Sequence, residues 1–274
     1  MRNKQIEILM AAYNGAPYIR EQVDSILHQT DENWHLTLSD DGSTDGTDAI
    51  LDEYSGCYPD KVKRVCSGRR FGSARDHFFW LTERCNADYI AYCDDDDVWN
   101  ADKLEKLRKA MEIAEARFGS ETPILVFSDQ TVTDEKLNML ASSLMRYQKQ
   151  YFESFDYRSI LLQNVVTGGA MMINRALAEL ALQCADISQV MMHDWWMAAV
   201  AARFGEIVYI NEPLGAYRQH GHNSVGAKNV ESIAHIANKL AHLDGIRKIL
   251  CEKKAQAQVF MQITNACREG QGVS

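Results

Sequence analysis

Five short apolar runs, each ending in a polar cluster, constrain this chain more than any other feature. Ile6 to Ala12 runs into Tyr13-Asn14-Gly15-Ala16-Pro17, and Trp34 to Ser39 into Asp40-Asp41-Gly42-Ser43-Thr44. Val62 to Cys66 precedes the basic loop Arg69 to Gly72, Tyr89 to Cys93 meets Asp94-Asp95-Asp96-Asp97, and Ile124 to Ser128 meets Asp129. Runs of this length and composition read as buried strands. Between them, Tyr18 to Gln29, the segment to about Tyr54, Ser73 to Cys85 and Asp102 to Phe118 carry helical patterns. Strand, loop and helix in repetition predict an α/β fold, a parallel sheet with helices on both faces. Ligands of such sheets bind at the carboxyl ends of the strands, where the polar clusters fall. The expectation is one crevice, mainly acidic, with a small basic component.

The acids of that crevice are concentrated in Asp94 to Asp97. Four adjacent carboxylates repel one another, so their place at the end of a buried strand calls for a counter-charge. Mg2+ and similar hard cations take oxygen ligands, commonly one or two carboxylates plus waters and substrate phosphates. The plainer reading is a solvated acidic turn before a helix capped by Asn100 or Asp102, but a cap needs one such residue and not four.

The chain has 274 residues, 46% of them hydrophobic, enough for one large domain or two small ones. A net charge of -9 argues against a general nucleic-acid binder. Seven cysteines without C-x-x-C spacing suit free thiols in a reducing compartment. The start MRNKQIEILMAAYNG lacks a leader-like apolar core, and no apolar run has the length to cross a bilayer, so a cytoplasmic location is expected. No P-loop, G-x-G-x-x-G, G-x-S-x-G or H-E-x-x-H is present, which disfavours P-loop NTPases, dinucleotide enzymes, serine hydrolases and zincins.

The second half is less regular. Thr131 to Leu140 reads as an irregular or hairpin connection, Tyr151 to Gln163 as helix, and Asn174 to Cys184 as a helix capped by Asn174. Val165 to Ile173 is an apolar run that includes Thr167-Gly168-Gly169, and glycines within a strand allow close approach of a ligand or of another backbone. Ile207 to Ile210 and Leu214 to Arg218 read as two strands, and Asn229 to Lys253 as a long amphipathic helix. That helix packs on the domain or on a dimer partner; docking on a membrane surface is the alternative.

Several motifs carry two readings. Asp41 to Gly46 with Asp52 partly imitates an EF-hand loop, but a strand precedes it and the last ligand is not Glu. What remains is a glycine-rich turn or a loop that contacts a nucleotide. Asp194, at the start of a helix, is an N-cap or a general base, and Trp195-Trp196 are core or a sugar-stacking wall. Tyr217-Arg218-Gln219-His220-Gly221-His222 places two histidines in a polar loop, pointing to a metal or phosphate contact, with Arg218 as a candidate for pairing a diphosphate.

Together AAYNGAPYI, SDDGSTDGT, FGSARDHF, YCDDDDVW, TGGAMMINR, HDWW and YRQHGHNSVG, in this order from Ile6 to about Gly226, resemble inverting glycosyltransferases of family 2 with the GT-A fold. The pattern is similar to bacterial members that build surface polysaccharides, the rhamnosyltransferase-like group in particular. The resemblance implies a GT-A domain over 1–226, with a nucleotide-sugar half at 1–129 and an acceptor half at 130–226, followed by a helical extension at 227–274. It implies that Tyr13 and Asp40 contact the nucleobase, Asp41 the ribose region, and Arg75 the diphosphate. Asp94-Asp95-Asp96 stand as the D-x-D motif, Asp96 on Mg2+ or Mn2+ and Asp94 on ribose or a metal-bound water. Asp194 stands as the catalytic base and His220 as a metal or diphosphate contact, while Thr167, Gly168 and Gly169 border the sugars. Asp95 departs from the uncharged residue common in relatives, so it points to solvent or tightens the demand for metal. His222 replaces a common Asn and receives no role.

The implied reaction moves a sugar from a nucleoside-diphosphate donor, dTDP-rhamnose first and UDP-hexoses next, to a hydroxyl of a glycan or lipid-linked acceptor. Two other readings compete: a catalytically silent partner in a polysaccharide assembly, and a sugar-phosphate nucleotidylyltransferase. The second lacks its expected basic, glycine-rich first loop, and the first is disfavoured by competent residues at every catalytic position.

Overall fold

The computed structural model describes residues 4–150, 155–183, 187–221 and 251–261. The chain begins with β1 (Ile6–Ala12), α1 (Ile19–Leu27), β2 (Trp34–Asp40), α2 (Thr47–Cys57), β3 (Val62–Arg64), α3 (Ala74–Arg84) and β4 (Tyr89–Cys93). Next come β5 (Val98–Trp99), α4 (Lys103–Phe118), β6 (Ile124–Thr133), β7 (Met139–Ala141), α5 (Leu144–Tyr147) and α6 (Tyr157–Leu162). A 3-10 turn at Gly168–Ala170 leads into β8 (Met171–Asn174), α7 (Arg175–Gln183), α8 (His193–Phe204) and β9 (Glu206–Arg218).

One sheet joins all the strands in the order β3-β2-β1-β4-β8-β6-β9-β5, with β7 beside β6. β3, β2, β1 and β4 run parallel, as the alternation predicted. β8 then enters antiparallel between β4 and β6, and β9 returns parallel to β6. Strands from both expected halves therefore share this sheet.

The apolar runs are continuous because both faces of the sheet are covered. Side chains alternate across the pleat. In β1, Ile8 and Met10 join one core and Leu9 the other; in β4, Tyr89, Ala91 and Cys93 oppose Ile90 and Tyr92. α1, α2 and α4 supply the first core, and α3, α6, α7 and α8 the second. Behind the first, Arg108 of α4 is held by both Asp31 carboxylate oxygens and by the carbonyls of Lys4 and Asn33, with about a tenth of each charged side chain exposed.

Helix boundaries follow the chain's polar punctuation. Ser73 Oγ accepts from the Asp76 N–H at the start of α3, and Asn174 Oδ1 from Leu177 N–H at the start of α7. Asp102 precedes α4 without a side-chain cap bond, so position rather than hydrogen bonding matches that expectation.

Other expectations change. β6 runs on to Thr133, so Ser128-Asp129 lies inside the strand at a register shift. Asp129 instead accepts from Ser143 Oγ and from the N–H groups of Leu144 and Met145, fastening the start of α5. The two late strands are one, β9, with register shifts against β6. Gly168 and Gly169 occupy the 3-10 turn before β8 and not the strand itself. Val98–Trp99 forms a short strand against β9. Of the expected helix Asn229 to Lys253, residues 229–250 lie outside the described residues. Within the helical 251–261, Phe260 packs edge-on to Trp196 and Gln256 Oε1 accepts from Met191 N–H, so this part docks on the domain. Among the described residues no helix is long and apolar enough to cross a membrane.

Candidate active site

The loop after β4 sends its four carboxylates in separate directions. Asp96 meets His220, whose Nε2 lies 2.8 Å from Asp96 Oδ2, with side-chain exposures of 17% and 7%. The Tyr18 ring stacks on His220 at 4.6 Å between centroids, and its hydroxyl donates to Glu135. Asp95 turns inward to accept from the Tyr13 N–H at 3.0 Å, and a β-carbon on Gly15 would overlap its Oδ2. Its extra charge therefore faces the first loop, not solvent. Asp97 is buried and accepts from Gln130 Nε2 and the Arg218 N–H, each at 3.1 Å. Asp94 packs against the Gly169 backbone, where a β-carbon would lie 2.9 Å from its Oδ2.

Crowding and burial disfavour the charged forms of all four. Burial, then Asp94, pushes Asp95 up to about 7, and burial with the charges of Asp94 and Asp95 pushes Asp96 up to about 8. Asp94 and Asp97 are raised as well, chiefly by burial. Beneath them lies Lys103, 1% exposed, which sequence reading missed. Its ammonium donates to the Gly169 carbonyl and faces the Trp99 ring at 3.9 Å. A lysine in the first turn of a charge-laced helix gave no sign of burial.

Asp194 begins α8 but is not its cap, a position held by Met192. Its Oδ2 accepts from Gly168 N–H at 3.2 Å and its Oδ1 from Trp195 N–H at 2.6 Å. Burial, with Asp94 adding to it, pushes the carboxyl up to about 7, a range suited to a base at neutral pH. Neighbouring His193 is buried between Phe78 and Tyr92 and held neutral, its imidazole pushed down to about 3 by burial. The indole N–H groups of Trp195 and Trp196 donate to Ile160 and Ala181 carbonyls, which places both rings in the core and removes them as a sugar wall.

The residues expected to face a nucleotide are arranged differently from one another. Tyr13 is exposed, with the Arg70 guanidinium 4.6 Å from its ring centroid. Asp40 accepts from Gly42 and Ser43 N–H groups, and Asp41 from those of Phe71 and Gly72, so Asp41 ties the basic loop to the end of β2. Gly42 and Gly46, at φ of 80° and 99°, permit the turn. Asp45 accepts from Ala16 and Thr47 N–H groups while Asp52 pairs with Arg64, so these acids do not share an EF-hand centre. Arg75 pairs with Asp76 and donates to the Val190 carbonyl, in a groove lined also by Arg69, Phe71 and Trp80; among the described residues these contacts hold it away from the four-carboxylate loop. Arg218 is 2% exposed and committed to Glu21 and the carbonyls of Asp96 and Glu135, so its pairing braces the loop and does not present a phosphate clamp. His222 lies outside the described residues.

Asp96 and His220 offer one oxygen and one nitrogen donor, a set that fits Mg2+ or Mn2+ when phosphates and waters supply the rest. Among the described residues no three His, Cys, Asp or Glu side chains form a ready metal cage, consistent with so partial a protein share.

Residues 7–180 match the family model described as glycosyl transferase family 2, and the chain belongs to that family. It is a family 2 glycosyltransferase with the GT-A fold. It is 29% identical over 228 residues to the dTDP-rhamnosyl transferase RfbG of Shigella flexneri, covering 80% of this chain and 74% of that one. TuaG of Bacillus subtilis, named for teichuronic acid biosynthesis, is 32% identical over 130 residues, 47% of this chain and 51% of its own. Among solved structures, S. aureus TarS 1-349 in complex with UDP superposes with a TM-score of 0.58 at 13% identity, covering 78% of this chain and 60% of that one. The mannosyltransferase PcManGT from Pyrobaculum calidifontis, in complex with GDP-Man and Mn2+, gives 0.56 at 15% identity, covering 99% and 76%. At such identities these two likenesses establish the fold alone.

Proposed function

We propose that this glycosyltransferase moves a sugar from a nucleoside-diphosphate donor to a hydroxyl of a glycan or lipid-linked acceptor, with inversion and with Mg2+ or Mn2+. The observation that carries the reading is that Asp194 and Asp94 both meet the Gly168-Gly169 turn, Asp94 belonging to the loop after β4 that also carries the Asp96–His220 pair. Asp194 takes the proton from the acceptor hydroxyl as that oxygen attacks the anomeric carbon. Gly168 N–H orients its Oδ2 for this task. Asp96 and His220 hold the cation, which when bound supplies Lewis-acid stabilisation to the leaving diphosphate. Tyr13 and Asp40 border the nucleobase, Asp41 sets the loop beside the ribose, and Arg75 reaches the diphosphate by leaving Asp76. dTDP-rhamnose is the first donor to test, on the likeness to RfbG, with UDP-hexoses next; the setting is synthesis of a surface polysaccharide at the cytoplasmic face.

The test is binding and slow hydrolysis of a panel of nucleotide sugars with Mn2+, Mg2+ or chelator, on wild type and Asp96→Ala. Metal-dependent turnover of one donor, lost in the variant, is expected. A well-folded protein that binds no nucleotide sugar would overturn the reading.

A further inference from the structure

Two consecutive glycines of the turn before β8 are held or crowded by three ionisable side chains. The Gly168 N–H donates to Asp194, the Gly169 carbonyl accepts from Lys103 Nζ, and Asp94 packs against Gly169. The turn has no room to shift toward its neighbours. A β-carbon at Gly168 would lie 2.9 Å from His193 Nε2, and one at Gly169 would lie 2.9 Å from Asp94 Oδ2 and 3.1 Å from Asp97 Oδ2.

Lys103 is the cationic member of this arrangement. A buried ammonium is costly unless it is paired and hydrogen-bonded. Here it has a carbonyl, the Trp99 face and the field of Asp94 and Asp97. A methionine or leucine would fill the same volume beneath β5 without that cost, so filling space does not account for the charge.

We propose that Lys103 is a positioning residue for sugar transfer: by holding the Gly169 carbonyl it fixes the turn whose Gly168 amide holds Asp194 and whose Gly169 backbone packs against Asp94. Lys103 touches no reacting atom. It acts through the turn on the separation between the base and the donor-side carboxylate. The proposal rests on the reading of Asp194 as the base, and misplacing such a group by an ångström costs a factor on the order of 100 in rate.

The experiment compares Lys103→Met with wild type, each alone and in an Asp194→Asn background. The readouts are kcat and KM for the donor, calorimetric affinity for Mn2+ alone, and the melting temperature. Lys103→Met is expected to lower kcat by about tenfold or more, with KM and Mn2+ affinity changed by less than about threefold. In the Asp194→Asn background it should lower the residual rate by less than about twofold, because the group it positions is already gone. An equal loss in both backgrounds, or a lower melting temperature with kcat per folded molecule unchanged, would overturn the proposal. So would loss of Mn2+ binding in step with kcat. If Lys103→Met does not melt cooperatively, Lys103→Gln, which keeps an N–H donor without the charge, is judged by the same comparisons. Failure of wild type to turn over any donor would instead count against the proposed function.

Discussion

His220 and Asp96 stand 124 residues apart in the chain, yet His220 Nε2 lies 2.8 Å from Asp96 Oδ2. The contact depends on β9 running beside β6 and delivering residues 218–220 to the loop after β4. Loss of the imidazole leaves Asp96 without this partner. His220→Ala is expected to weaken Mn2+ affinity by about 10–100-fold, as losing a ligand or its orienting partner commonly does. Titration calorimetry with Mn2+ checks it; an unchanged affinity would remove His220 from the metal site.

Asp194 must be ionised to act as a base, and burial pushes its carboxyl up to about 7. The rate kcat/KM should therefore climb as pH rises toward about 7 and level off above it. Asp194→Asn should lower kcat by about 100- to 10,000-fold and abolish that limb of the profile. A variant that keeps both rate and profile would exclude the assignment.

Stability of the metal-free protein should fall as pH rises. Asp95, Asp96 and Asp194 have carboxyls pushed up to about 7, 8 and 7 from an ordinary 3.8. Between those limits the folded state binds more protons than the unfolded one, so its advantage is largest near pH 4 and declines through pH 8. Melting temperatures at about pH 5.5 and about pH 8 test the sign. Added Mn2+ should raise the melting temperature more at the higher pH, because it binds ionised carboxylates.

Arg108 offers a test of the scaffold apart from the chemistry. Arg108→Leu strands Asp31, nearly buried, without its fork of donors. Such a break typically costs about 3–5 kcal/mol. Urea unfolding should show a lower midpoint with little change in slope, and an equal midpoint would mean that solvent reaches Asp31.

The first four strands and their polar ends were legible because each signal is local. An apolar run of strand length, a cluster and a helical period sit next to one another in the sequence. Tyr13, Asp40, Asp41 and Asp94 to Asp97 could be picked out for the same reason. What was not legible depends on distant pairing. Nothing near Arg218 says that Asp96, Glu135 and Glu21 will enclose it, so a buried brace reads as an exposed phosphate contact. Lys103 reads as surface for the same cause, since Gly169 lies 66 residues away. The glycines of TGGA suggested close approach of a ligand or another backbone; the structure packs carboxylates and an imidazole against them, in a turn and not a strand.

The late arrival of β9 also bears on how the molecule is made. A chain leaving the ribosome completes β1 to β4 well before Arg218 and His220 are synthesised. Until then the carboxylate loop lacks both its brace and its histidine, so the centre cannot assemble. Catalytic competence therefore waits for the synthesis of residues 218–220, long after β1 to β4 have been made.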